Sequence, residues 1–226
     1  MYVKAVIFDL DGVITSTSEE HFLAWTKLAK EFGRELSPGV FHAVKGISRL
    51  ESLDIVLGDI GMEKRFTQAE KLCLADRKNA IYVDMISRFD ESNLAEGAAE
   101  LLRLLKKNDI KIALGSVSKN SCMLLKNMKI YDCFDYIVDP SAVKHAKPAP
   151  DIFLDAARHF SFNPKYCAGV EDAAAGVQAI KAAGMFAVGI GDKDYLWQAD
   201  IVYSELKGLD IYEIDEAMSR KESNRQ

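Results

Sequence analysis

The chain has 226 residues, is 49% hydrophobic and carries a formal net charge of −5, enough apolar material for a sizeable core in one large domain or one domain with an insert. Lysine and arginine are spread along it, which excludes the basic footprint of a nucleic-acid binder, and the first apolar run is too short for a signal peptide or a membrane span. Cys73, Cys122, Cys133 and Cys167 form no C-x-x-C pair and read as reduced thiols of a cytoplasmic protein.

Residues 3–8 are a short run of strand formers and predict a buried strand, ended by Asp9-Leu10-Asp11-Gly12. Thr17-Ser18-Glu19-Glu20 has capping-box spacing, and Phe22, Trp25, Leu28, Ala29 and Phe32 follow with helical period up to Gly33. Further helices are expected near 48–57 and, behind the capping box Thr67-Gln68-Ala69-Glu70, near 67–87; no strand is expected between 15 and 90. After Asn93 the pattern alternates. Helix 95–107, strand 110–116, helix 119–129, strand 136–139, helix 150–160, strand 167–170, helix 173–183 and strand 186–190 are followed by a short strand at 200–203 and a terminal helix. The last residues, "SRKESNRQ", are polar and expected to fray. Such alternation predicts a doubly wound α/β core around a parallel sheet, formed by residues 1–15 and 91–226, with a helical cap domain, 16–90, inserted after the first strand.

Two carboxylates separated by one residue repel each other. Both stay ionised only beside a cation; otherwise one holds a proton. Asp9 and Asp11 sit at the carboxyl end of a strand, where parallel sheets bind ligands, and project to the same side of an extended chain. Other strand ends and loops carry Ser116, Lys147 and the pair Glu171-Asp172. Four acids, a hydroxyl and an amine converging on one rim suit Mg²⁺, which takes hard oxygen ligands.

"DLDGV", the strand ending in Ser116, Lys147 and "GVEDA" resemble, in this order, the four motifs of the haloacid dehalogenase superfamily of phosphotransferases. "KGISRLESL" (45–53), "IALGSVSKN", "AKPAPDIF" and "GVEDAAAGVQAIK" are similar to the β-phosphoglucomutases of that superfamily, and the likeness runs from "KAVIFDLDGVIT" to about residue 190. The resemblance implies that Asp9 is the nucleophile that becomes an aspartyl phosphate and that Asp11 is the general acid and base. Mg²⁺ would be held by the Asp9 carboxylate, the Asp11 backbone carbonyl and Asp172, with Glu171 as a ligand or as an orienter of waters. Ser116 and Lys147 would hold the transferring phosphate, helped by backbone N–H groups around Leu10, Val117 and Ser118. Lys119 and Asn120 would meet the sugar or its second phosphate. In the cap, Arg49 would grip the phosphate that is not transferred, with Lys45, Gly46 and Ser52 in the same stretch and Gly46 allowing close backbone approach to the sugar. Thr17, in the hinge at 15–17, completes the substrate-binding set with His21 and Trp25. On residue type alone His21 reads as structural and Trp25 as core.

The reaction implied is the interconversion of β-glucose 1-phosphate and glucose 6-phosphate through β-glucose 1,6-bisphosphate. Its partners are small sugar phosphates, with no nucleic acid or membrane, and the acting species is a monomer. The rival readings are an Mg²⁺-dependent sugar-phosphate phosphatase with the same core residues and a non-catalytic binding protein on this fold. Departures from the family pattern are Ser16 in place of Asp, Val117 in place of Ala, Asp76 in place of Lys, and a loose match at "GDKDYLWQAD".

Overall fold

The computed structural model describes residues 1–223, so the last three residues of the polar tail lie outside the described residues. In β1 (Ala5–Phe8) all four residues are buried. Alternation sends Val6 and Phe8 to one face of the sheet and Ala5 and Ile7 to the other. A strand that is apolar on both sides belongs in the middle of a parallel sheet. Four helices follow: α1 (Ser18–Glu31), α2 (Val40–Ala43), α3 (Arg49–Asp59) and α4 (Gln68–Ile86). The alternation then runs α5 (Ala98–Lys107), β2 (Lys111–Leu114), α6 (Ser121–Asn127), β3 (Tyr136–Ile137), α7 (Asp151–His159), β4 (Cys167–Glu171), α8 (Ala174–Ala182), β5 (Phe186–Ile190), β6 (Ile201–Tyr203) and α9 (Ile211–Ser223). The strands form one parallel sheet in the order β3-β2-β1-β4-β5-β6. This is the doubly wound core with a helical insert. The winding reverses at β1, which opens a crevice at the carboxyl ends of β1 and β4.

Leu102 and Leu105 of α5, Leu124 of α6 and Ile214 of α9 cover the face of Val6 and Phe8; Phe153 of α7 and Ile180 of α8 cover the other. The inserted helices bury an apolar cluster of their own around Trp25, Leu28, Leu53, Val56 and Leu57. Tyr82 and Ile86, late in α4, join the core cluster instead, so the insert is seated on the core. Its two connections run side by side. Thr15 bridges both Asp11 and Leu94, its hydroxyl donates to the Asn93 carbonyl at 2.8 Å, and Ala95 N–H donates to the Ile14 carbonyl at 2.9 Å.

Several details differ from the sequence reading. Thr17 is the N-cap of α1 but makes no cap bond, because its hydroxyl is turned to Asp11. The box at Thr67 and Glu70 forms, and so does an unforeseen one, Ser48 with Glu51, which starts α3 at Arg49. The four residues of α2 are too few to show a period. β2 and β3 stop at Leu114 and Ile137, short of 116 and 139, as the chain turns up into the loops of the crevice. Lys119 and Asn120 form a turn ahead of α6 rather than its start, with Ser118 Oγ accepting from Asn120 N–H at 3.4 Å. Residues 219–223 do not fray: buried Met218 and the ion pair of Lys221 with Asp200 anchor the end of α9.

Candidate active site

Where β1 ends, Asp9 N–H still donates to the Val170 carbonyl of β4 at 3.0 Å, which fixes its carboxylate at the crevice. That carboxylate is buried, not a surface group: Asp9 is 3% exposed. Lys147, fully buried, donates to Asp9 Oδ1 at 2.6 Å and to Glu171 Oε2 at 2.8 Å. Glu171 Oε1 accepts from the N–H groups of Asp172 and Ala173, each at 3.3 Å. Gly12 makes room for this cluster. Its φ is +88°, and a Cβ there would lie 2.1 Å from Asp172 Oδ2.

One carboxylate oxygen from each of Asp9, Glu171 and Asp172 lies within 4.8 Å of the others. Burial raises Asp9 to about 6 against the pull of Lys147. Burial and the neighbouring Asp9 raise Glu171 to about 8, and burial also raises Asp172, against the pull of Lys45. Burial thus disfavours the state in which all three acids are ionised beside only two lysines, Lys147 and Lys45, and a cation would restore it. A buried set of hard oxygen donors in that condition fits Mg²⁺. From the insert, Lys45 donates to Asp172 Oδ2 at 3.1 Å. The close backbone approach expected at Gly46 is made to the core: its φ is +70°, and a Cβ would lie 2.8 Å from the Ala173 Cβ.

Asp11 has a different environment. Its Oδ1 accepts from the Thr17 hydroxyl and from the Tyr82 hydroxyl at 3.4 Å, with His21 Nε2 3.7 Å away. Burial opposes its ionisation, yet His21, Thr17 and Lys78 together hold its pKa below the ordinary value. Lys78 Nζ stands 2.7 Å from His21 Nδ1. A protonated Lys78 there fixes the imidazole as the Nε2–H tautomer, aimed at Asp11. The His21 ring also stacks on Tyr82, with centroids 3.9 Å apart.

A cavity of about 370 Å³ lies between core and insert. Of the residues singled out from sequence, Asp9, Asp11, His21, Trp25, Lys45, Gly46, Arg49, Ser52, Val117, Ser118, Lys119, Asn120 and Asp172 line it. Thr17, Ser116, Lys147 and Glu171 stand behind its wall, buried. Ser116 Oγ accepts from Ser118 N–H at 3.1 Å. The Ser52 hydroxyl is turned back onto the Ser48 carbonyl at 3.0 Å. Trp25 serves as both core and wall, 2% exposed with Lys78 Nζ 4.6 Å from the centre of its ring. Arg49 Nη2 donates to Asn79 Oδ1 at 2.8 Å, and Nη1 lies 3.6 Å from Asp76 Oδ1. Asp76, which departs from the family pattern, thus gives Arg49 a counter-ion.

Lys78, Asn79 and Tyr82 were not read from the sequence. Their signal was present: Leu74, Ala75, Lys78, Tyr82 and Ile86 form the buried stripe of α4, with a lysine in its middle.

The model of the haloacid dehalogenase-like hydrolases matches residues 3–184. The chain is 46% identical to the β-phosphoglucomutase of Bacillus subtilis (strain 168), over 209 residues that cover 92% of each protein. The crystal structure of a β-phosphoglucomutase from Clostridium difficile matches with a TM-score of 0.94 at 40% identity, over 98% of this chain and 99% of that one. A phosphorylated carbohydrates phosphatase of Thermotoga maritima is 25% identical over 81% of this chain and 82% of its own. The chain belongs to the haloacid dehalogenase-like hydrolase family and, within it, to the branch of the β-phosphoglucomutases.

Proposed function

We infer that this enzyme interconverts β-D-glucose 1-phosphate and D-glucose 6-phosphate through an aspartyl phosphate and β-glucose 1,6-bisphosphate. The observation that carries the reading is the 46% identity over 92% of the Bacillus subtilis β-phosphoglucomutase. The geometry supports it with two carboxylates in opposed environments. Asp9 is held by Lys147 as the nucleophile, and Asp11 is held by His21, Thr17 and Tyr82 as the proton carrier.

Asp9 Oδ attacks the phosphorus of the bisphosphate; the new P–O bond forms as the bond from phosphorus to the sugar oxygen breaks. Asp11 delivers its proton to that leaving oxygen. In the opposite half-reaction Asp11 takes the proton from the sugar hydroxyl that attacks the aspartyl phosphate, so one residue serves both directions. Lys147 and Ser116 support the transferring phosphate, and Arg49 holds the other one by its planar fork. Asp9, Asp172, Glu171 and the Asp11 backbone carbonyl would hold Mg²⁺, which when bound neutralises charge on the transferring group. Closure of the insert over the cavity excludes water, the competing acceptor. The free state of all four cysteines supports a reducing, cytoplasmic setting. Among the described residues no helix is long and apolar enough to cross a membrane.

The test is a phosphorus NMR time course with β-glucose 1-phosphate, Mg²⁺ and a trace of the bisphosphate. Glucose 6-phosphate is expected to appear with little inorganic phosphate, and Asp9→Asn is expected to stop it. Release of inorganic phosphate as the main product would instead establish a phosphatase.

A further inference from the structure

Asn79 follows Lys78 on α4, and no step above uses it. Its side-chain carbonyl accepts twice: from Arg49 Nη2 at 2.8 Å and from Asn120 Nδ2 at 2.9 Å. The two donors come from different parts of the molecule, since Arg49 opens α3 in the insert and Asn120 lies in the turn ahead of α6 in the core. Both line the cavity, whereas Asn79 does not. One oxygen with two lone pairs therefore holds a guanidinium and an amide side by side at the cavity wall. Each keeps further N–H groups after giving one to Asn79, because guanidinium has five and the amide two. Adjacent donors, one of them charged and balanced only by the exposed Asp76 at 3.6 Å, form a receptor for an oxyanion.

We propose that Asn79 is a positioning residue, which aligns Arg49 of the insert with Asn120 of the core so that both donate to the phosphate that is not being transferred. The inference rests on the mutase reading, in which such a remote phosphomonoester is always present. It also gives closure a gauge: Asn79 meets Asn120 only when α4 is seated on the core, so the remote anion site is complete only over a closed cavity.

The test is a substrate split. Asn79→Ala is expected to raise KM for β-glucose 1-phosphate by about tenfold, the scale of a hydrogen bond to a charged group. Phosphorylation of Asp9 by acetyl phosphate, a donor with no second phosphate, is expected to stay within about twofold of wild type. In an Arg49→Ala background, Asn79→Ala should add less than half of its single effect on a logarithmic scale, because it acts through Arg49. Asn79→Ser, a smaller polar replacement, is the second variant should alanine fail to fold, with the same split expected. Equal losses with both phosphoryl donors, or full additivity with Arg49→Ala, would reduce Asn79 to a structural staple and overturn the proposal. So would an unchanged KM. A wild type that takes up phosphate from acetyl phosphate but does not isomerise β-glucose 1-phosphate would instead refute the mutase reading on which it rests.

Discussion

Lys78 is 2% exposed on the apolar stripe of α4. Burial, together with the charge of Arg49, brings its pKa down to about 7 against the pull of Asp11. Between that value and the ordinary 10.5, the unfolded chain holds a proton that the folded chain lacks, so this residue makes stability rise with pH across that window. Lys78→Met removes the cost of burying an ammonium. Calorimetry should show Tm rising by a few degrees at neutral pH, at roughly 2–4 °C per kcal/mol for a chain of this size, with the gain shrinking as pH rises. The same variant frees the His21 tautomer, so kcat should fall at least about tenfold, part of the roughly 10²–10⁴ that acid–base catalysis supplies. Asp76 acts in another way. Its side chain is 81% exposed and sits 3.6 Å from Arg49 Nη1, where it repels an arriving phosphate. Asp76→Asn should lower KM for the sugar phosphate by about two- to fivefold at low ionic strength, and the gain should vanish in concentrated salt.

At the level of elements, the stretch from 45 to 49 joins insert to core and site together. Lys45 reaches Asp172, Gly46 lies against Ala173, and Arg49 begins α3 behind the Ser48 cap. Gly46→Ala would place a methyl group 2.8 Å from the Ala173 Cβ at a left-handed φ, so the insert could not seat fully. Phosphoenzyme should then lose its phosphate to water faster while β-glucose 1-phosphate is isomerised more slowly, a ratio read by phosphorus NMR. The strands around this stretch were legible because their residues are apolar on both faces, as in residues 5–8. The Thr17 cap was not, because its hydroxyl answers to Asp11 across the hinge, a partner that local spacing cannot reveal. The short α2 lacks a full helical period. Nothing local singles out Asn79, since its two partners lie 30 and 41 positions away.

At the scale of the whole molecule, folding itself carries the acidic cluster into burial, and so stability should depend on the cation. Mg²⁺ held by this cluster would, at a hundred times its Kd, add about 2.7 kcal/mol by mass action. Tm should therefore rise with Mg²⁺ concentration and fall back on chelation, and Asp172→Ala should remove most of that response. The order of motifs along the chain was enough to bring Asp9, Ser116, Lys147 and Asp172 to one rim, because a parallel sheet gathers its strand ends. How the insert meets that rim was not legible, since Lys45, Lys78, Asn79 and Tyr82 act across gaps that only the packed molecule closes. The paired connections at Thr15 and Leu94 add a mechanical consequence. Two chains laced together at one crossing behave like the two leaves of a door hinge, leaving a swing but resisting twist and sideways slip. A cap opening on such a pivot during turnover would retrace one arc, and Lys45, Asn79 and Tyr82 would return to the same partners without having to search for them.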